Sequence, residues 1–182
     1  MIDRPTALAL MEEKIENINL RKHIRSVEAG MRHLAGRFVG DVELWGLTGL
    51  LHDLDYNETK DDEARHTFLT EEWLAPYDVP EEMIYAIRCH PGHASCKSQM
   101  DWALYAVDPT TGFLVACALM HPEKSLAALD ERFVSKRFKE KRFAAGATRE
   151  NMAACSNLDL EVTEFILLVR DGMLTISDYL GL

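Results

Sequence analysis

Basic residues are in deficit in this 182-residue chain, which carries 20 Lys and Arg against 30 Asp and Glu and has a formal net charge of -10. A chain with this balance has no general attraction for nucleic-acid backbones or for anionic membrane surfaces. The deficit argues against nucleic-acid and membrane partners, and a small molecule is the simpler expectation.

Cysteine is scarce as well, since Cys89, Cys96, Cys117 and Cys155 are the only four in the chain. The sequence also lacks an opening apolar segment with a basic lead, which is the pattern of a secretion signal. Thinly spread cysteines without such a signal are typical of a reducing compartment. We therefore expect free thiols and a cytoplasmic protein.

Long apolar runs and strand patterns are missing too. The most apolar stretches, 113–120 and 165–169, fall far short of the ~20 residues that span a bilayer, so no membrane helix is predicted. The chain has no alternating pattern of useful length, no internal repeat and no low-complexity segment. Apolar residues at helical spacing are what remains, and they predict an all-α fold of roughly eight or more helices.

The length and the apolar content suit one well-buried domain. With 47% hydrophobic residues, a chain of 182 residues is marginal for two domains. We predict a single domain over residues 1–182, as a monomer or homodimer, with its last helix at 161–180. Helices are also expected at 123–130 and at about 101–120, where Pro109 should bend or break the helix because proline removes a backbone hydrogen bond.

An ionisable pair, His52 and Asp53, interrupts the apolar stretch from Gly46 to Tyr56, in a helix that Asp41 should cap. Charged groups persist in a core only when they are paired, hydrogen-bonded or bound to metal. An imidazole beside a carboxylate can form half of a divalent-metal site, and a helix bundle can collect the other half from facing helices. The further candidates near apolar helix faces are His23, His66, His90 and Asp108.

The order of these candidates along the chain is recognisable, and five segments extend the pattern beyond them. They read LRKHIRSVEAGMRHLA from Leu20, LWGLTGLLHDLDYN from Leu44, YAIRCH ending at His90, ALYAVDPTTGFLVACALMHPEK from Ala103 and SKRFKEKRFAAG from Ser135. In these segments the chain resembles the HD superfamily of metal-dependent phosphohydrolases, most of all its compact HDIG-type predicted hydrolases. The resemblance covers about residues 18–155, and residues 161–180 would form a packing helix beyond it. The motif that gives the HDIG type its name continues after the His-Asp pair with isoleucine and glycine. Here the pair is followed by Leu54, Asp55 and Tyr56 instead.

The resemblance implies an HD-domain helical bundle with a metal site in its core. His23, His52, Asp53 and Asp108 would bind one divalent metal ion. His66 and His90 match the positions that hold a second ion in some relatives, with Asp53 as the bridge. One or two ions are thus expected, and their identity stays open among Fe, Mn, Co, Ni, Zn and Mg. Such a site lowers the pKa of a bound water and screens charge on a phosphoryl group, which suits hydrolysis of a small phosphoester or nucleotide.

Two residues outside this set are candidates for the chemistry. Asp55 lies three residues after His52 on the same helix face, so we predict that it orients the attacking water or takes its proton. Lys136 belongs to the basic segment 132–142 and could bind the substrate phosphate, although a solvated helix face is the alternative. His93 is a ligand, a substrate contact or neither, whereas His33 and His121 match no ligand position.

Other functions fit the same residues. Some HD relatives use a mixed-valent di-iron pair on this ligand set to activate oxygen, so an oxygenase is one alternative. A regulatory module that keeps the metal without turnover is another. The span from Cys89 to Cys96 also offers two thiols, together with His90 and His93, for a small zinc clip, although the spacing differs from the common patterns.

Overall fold

The chain folds as an all-α bundle, as the sequence predicts. The computed structural model describes all 182 residues and contains no strand. The α-helices are α1 (Arg4–Lys14), α2 (Ile18–Arg37), α3 (Val42–Leu51), α4 (Tyr56–Thr59), α5 (Phe68–Leu74), α6 (Glu81–Cys89), α7 (Gln99–Met120), α8 (Glu131–Lys139), α9 (Arg149–Ala153), α10 (Val162–Leu174) and α11 (Ser177–Leu180). A 3₁₀ helix spans Ala154–Leu158.

Capping side chains set where the central helices begin. The Asp41 carboxylate accepts hydrogen bonds from the backbone N–H groups of Glu43 and Leu44 at 2.9 and 3.0 Å, so it caps α3 as predicted. At the start of α7, Ser98 and Asp101 form a reciprocal capping box. Each cap satisfies N–H groups that have no partner within the helix. Both helices therefore start at fixed points. Helix α7 carries Asp108, and α3 leads directly into His52 and Asp53.

The core lies where α2, α3, α7 and α10 pack together, and it is a continuous cluster of 42 buried apolar residues. Glycines allow the closest approaches between these helices. A Cβ atom placed on Gly172 of α10 would lie 2.5 Å from the carbonyl oxygen of Ala29 on α2, and one on Gly49 of α3 would lie 3.0 Å from the backbone of Glu28. Any side chain at either position would push two helices apart.

Helix α7 continues through Pro109, so the helix break considered from the sequence does not occur. Proline leaves a carbonyl one turn earlier without its usual donor. Next to it, the hydroxyl of Thr110 donates to the Ala106 carbonyl at 2.7 Å and the hydroxyl of Thr111 donates to the Asp108 carbonyl at 2.9 Å. Burial of α7 among the neighbouring helices offsets what the backbone loses.

Two other predicted helices differ in the structure. Residues 123–130 form turns, because Lys124 has a left-handed backbone (φ 47°) that a helix cannot continue through. The predicted helix 161–180 is divided into α10 and α11, with Thr175 and Ile176 between them. In both segments the apolar residues still face the core, so helical spacing located the buried side chains better than the helix ends.

Helix α7 is the one helix long and apolar enough to cross a membrane. Its most apolar 18-residue window has a mean hydropathy of 1.4, and 56% of that window is buried inside the bundle. The apolar run 113–120 is part of this longer helix, whereas the run 165–169 lies in α10. The expectation that the chain has no membrane partner stays a prediction.

Cys89 and Cys96 form a disulfide, which corrects the expectation of four free thiols. A turn through Gly92, with φ 95°, reverses the chain and brings the two Cα atoms to 5.6 Å. With the sulfur atoms bonded to each other, these cysteines are not the thiolate ligands of a zinc clip. Cys117 and Cys155 are free and buried.

Thiol labelling will test this arrangement. Burial raises the pKa of the Cys117 thiol to about 12 and that of Cys155 to about 11, so both hold almost no reactive thiolate near pH 8. We expect iodoacetamide to label no cysteine in the native oxidised protein, two after unfolding and four after unfolding with reductant, as counted by mass spectrometry. Four labels on unfolding without reductant would contradict the disulfide.

Candidate metal centre

Six ionisable side chains from five parts of the chain meet at one end of the core. His23 lies within α2 and Asp108 within α7, His52 and Asp53 follow α3 directly, His66 lies in the turn before α5, and His90 follows α6. These are the six predicted metal ligands, and the structure brings all six together.

The first half of the cluster surrounds Asp108. Its Oδ1 lies 3.0 Å from His23 Nε2 and 3.8 Å from His52 Nε2. The Oδ2 atom of Asp53 faces the same two imidazoles, at 3.7 Å from His23 Nε2 and 3.5 Å from His52 Nε2. Ligands bound to one ion at ~2.0–2.2 Å lie roughly 3 to 3.5 Å from one another, so these four side chains fit around a divalent cation with little movement.

The second half of the cluster uses the other oxygen of Asp53. Its Oδ1 lies 3.3 Å from His66 Nε2 and 3.4 Å from His90 Nε2, and the two imidazole nitrogens are 3.2 Å apart. The three atoms form a nearly equilateral triangle with sides suited to one ion. Asp53 therefore faces both halves of the cluster, one oxygen to each.

The hydrogen bonds behind the four imidazoles set their tautomers. The Nδ1 atom of His52 lies 2.8 Å from the Gly49 carbonyl oxygen, and that of His90 lies 2.6 Å from the Ile87 carbonyl oxygen. Both acceptors have no proton to give, so each Nδ1 carries the hydrogen. Each histidine directly follows a helix, where the carbonyl three residues earlier has no partner within the helix. The sequence position alone thus turns each Nε2 lone pair toward the cluster.

The two remaining imidazoles are held by side chains. His66 Nδ1 donates to the Asp55 carboxylate at 2.8 Å. His23 Nδ1 lies 3.1 Å from the Thr111 hydroxyl, which gives its own hydrogen to the Asp108 carbonyl and so accepts from the imidazole. All four histidines therefore direct Nε2 at the cluster, with the partner on Nδ1 that metal-binding histidines usually have.

A metal ion fits this arrangement of donors. His52 Nε2 is completely buried and has no hydrogen-bond partner in the protein, which is costly for a polar atom. His66 Nε2 and His90 Nε2 also lie only 3.2 Å apart, so a proton or a cation is needed between them. A cation among these atoms would satisfy all three nitrogens and offset the charge of both carboxylates.

The pKa shifts show how strongly the cluster favours positive charge. Burial disfavours a charged imidazole, but hydrogen bonds with Asp53 and Asp55 outweigh it and raise the pKa of His66 to about 10. Burial also disfavours the Asp53 carboxylate, yet the neighbouring His52 and the hydrogen bond from His66 hold its pKa well below its usual value. His90 is the exception, since burial lowers its pKa. Without a metal ion, a proton on His66 supplies part of the compensating charge.

Asp55 lies behind the cluster, and this differs from its predicted place beside the water. Its side chain is fully buried. One carboxylate oxygen accepts from His66 Nδ1, and the other accepts from the Thr70 backbone N–H at 3.1 Å. The chain turns between α3 and α4, so Asp55 does not stay on the helix face that it would share with His52. Asp55 holds His66 in place and has no contact with the cleft above the metal ligands.

Lys136 is also placed away from the cluster. It lines a shallow surface depression with other residues of α8 and with Asp130, and it is not among the residues that line the cleft over the cluster. The neighbouring acidic groups, Glu131 and Glu140, give this part of the basic segment the character of a solvated helix face. The structure does not bring Lys136 to the candidate centre.

An open cleft of about 830 Å³ lies over the cluster, and the lining residues that sequence reasoning missed include Tyr56, Lys60, Glu63 and Asn151. Lys60 comes from a loop that otherwise reads as acidic, Asn151 comes from α9, and Tyr56 follows the turn after Asp53. His93 lines the cleft too, but its Nε2 lies 3.0 Å from the Glu63 carbonyl oxygen, so it is not a member of the cluster. Of these residues only Lys60 gave a signal in the sequence, as a lysine among acidic neighbours.

Comparisons with known protein families, with curated proteins and with solved structures find no match for this chain. The geometry of the cluster and of its cleft therefore carries the functional argument, together with the resemblance noted in the sequence.

Proposed function

We propose that this protein is a metal-dependent phosphohydrolase of the HD type that cleaves a small phosphoester. One observation carries the proposal: four imidazoles direct Nε2 at two carboxylates on the floor of an open cleft, and the buried His52 Nε2 has no partner within the protein. Imidazole and carboxylate ligands of this kind suit Zn, Fe, Mn, Co and Ni, whereas Mg favours oxygen ligands.

The ligands divide between two positions. His23, His52, Asp53 and Asp108 would hold one ion, and Asp53, His66 and His90 would hold the other. Bound divalent ions lower the pKa of water and offset the charge that develops on a transferred phosphoryl group. The overall reaction adds water across the ester bond: the P–O bond to the alcohol breaks, and inorganic phosphate and the free alcohol leave.

The protein's own residues position the reactants. Asp55 fixes the ring of His66 and so the direction of its Nε2 atom. Lys60 places a positive charge on the cleft wall, where it would attract an anionic phosphoester into an otherwise acidic protein. The cleft is open to solvent, so water can reach the reacting phosphorus. These features suit a negatively charged phosphoester that water can reach.

Metal analysis tests the ligand assignment directly. In protein prepared without oxygen, we expect two ions per chain in the wild type, one in His66→Ala and a loss of both in Asp53→Ala, because Asp53 faces both positions. His121→Ala is the matched control, since this histidine lies far along α7 from the cluster and should leave the metal content unchanged. An Asp53→Ala protein with full metal content would contradict the assignment.

Phosphate release tests the reaction. A panel of phosphomonoesters and nucleotides, assayed with Mn, Co, Ni, Mg and Fe, should yield inorganic phosphate with at least one metal, and Asp108→Ala should lower kcat/KM by about 10³-fold or more. Full metal occupancy without phosphate release from any substrate would refute the hydrolase. An electron-spin signal from a half-oxidised iron pair would point to the oxygenase instead.

A separate measurement tests the positioning role of Asp55. Asp55→Asn should leave the helical circular dichroism unchanged but weaken binding at the His66 position by roughly 10- to 100-fold, the usual cost of losing a carboxylate behind a metal-bound histidine. Chelator competition would measure both metal affinities. Asp62→Asn, in an exposed turn, is the control. Equal weakening at both positions would argue for a general loss of folding rather than for an effect through His66.

A further inference from the structure

A second cleft of about 450 Å³ lies beside the first, and His23, Asp108 and Asn151 line both. The candidate metal ligands His23 and Asp108 therefore lie at the border between the two clefts. The volume is within the range of ~300–1,000 Å³ typical of pockets that hold small organic molecules.

The walls of the second cleft are made of small, uncharged residues. Helix α7 supplies one wall and the segment 144–147 supplies the opposite one. The wall residues are Pro109, Gly112 and Ala116 on α7, and Ala144, Gly146 and Ala147 on the segment. Apart from His23 and Asp108 at the border, no lining residue carries a charge. A space of this kind favours an uncharged organic group and offers no cationic side chain to a second phosphate.

The two wall glycines open directly into this space. A Cβ atom built on Gly112 or on Gly146 would meet no other atom within 4 Å, and neither glycine has a left-handed backbone. Neither is therefore required by a turn or by close packing, in contrast to Gly172. Larger side chains at these positions would occupy the cleft itself, which makes them sharp probes of what the cleft binds.

The segment 144–147 is held firmly against the bundle. The guanidinium group of Arg149 donates to the carbonyl oxygens of Phe143 at 2.6 Å and of Ala147 at 2.7 Å, and it lies 4.7 Å from the centre of the Phe113 ring. Burial of this arginine lowers its pKa, and no carboxylate pairs with it. Arg149 therefore stabilises the backbone of this wall, so the cleft is preformed.

Asn151 offers a hydrogen-bond donor at the border between the clefts. Its Oδ1 accepts from the Tyr105 hydroxyl at 3.1 Å, which fixes the orientation of the amide. Its Nδ2 makes no hydrogen bond within the protein. An amide donor next to two candidate ligands is suited to an oxygen of a phosphoryl group that bridges the two spaces.

We infer that the second cleft binds the uncharged organic group of the substrate, with the phosphoryl group at the border beside His23 and Asp108 and one of its oxygens bound by Asn151 Nδ2. The substrate class is thus a phosphomonoester of an apolar or ring-bearing alcohol. The inference rests on the proposed phosphohydrolase function and adds the specificity of that site.

Non-hydrolysable phosphonates test the cleft by binding alone. In calorimetry with the Mn-loaded protein, we expect phenylphosphonate to bind the wild type about tenfold more tightly than methylphosphonate, because only the phenyl group buries apolar surface in the cleft. Gly112→Leu should reduce this preference to within about twofold and leave methylphosphonate affinity unchanged. Gly146→Leu, on the opposite wall, repeats the test with a second, independent variant.

The matched control is Gly36→Leu, since Gly36 is also an exposed helical glycine with open space at its Cβ but lies outside both clefts. Asn151→Leu should weaken both phosphonates by roughly tenfold, the order of one hydrogen bond to a charged group, with metal content unchanged. Equal affinity of the wild type for both phosphonates, or a phenyl preference that survives both glycine substitutions, overturns the inference. Failure of both phosphonates to bind the metal-loaded wild type overturns the proposed phosphohydrolase itself.

Discussion

The shared carboxylate of Asp53 is the interaction on which the rest of the structure depends. One oxygen faces His23 and His52, and the other faces His66 and His90. A charge in this position is costly unless other groups surround it. Helices α2, α3 and α6 and the turn before α5 each bring an imidazole to it, so these elements are arranged around one residue that would be unfavourable in isolation.

Orientation of the ligands comes from three different kinds of partner. Backbone carbonyls hold His52 and His90, a buried carboxylate holds His66, and a threonine hydroxyl holds His23. The backbone partners follow directly from the position of a histidine just after a helix. The side-chain partners require residues distant in sequence, since Thr111 is 88 residues from His23. Two of the four imidazoles are therefore oriented by local backbone contacts, and the other two depend on contacts formed by the fold.

This division explains what could be predicted from the sequence. Helical spacing identified the all-α fold, the Asp41 cap and the apolar faces, and the order of His and Asp residues identified the six members of the cluster. The direction of Asp55 could not be predicted, because α3 ends at Leu51 and the turn that follows directs this side chain to the back of His66. The pairing of Cys89 with Cys96 depended on a glycine turn, and the second cleft depended on the absence of side chains at Gly112 and Gly146.

Gly172 lies outside the stretch that resembles the HD superfamily, yet its contact with Ala29 supports the helix that carries His23. A Cβ atom at Gly172 would overlap the backbone of α2, so the glycine allows α10 to pack directly against α2. A chain shortened before Val162 would lose this contact together with the apolar side chains of α10 that pack on α2. The smallest unit able to assemble the centre is thus larger than the stretch that supplies its ligands. If this C-terminal helix were replaced by one from another protein, we expect it to pack against α2 only if a glycine stands at the position of Gly172.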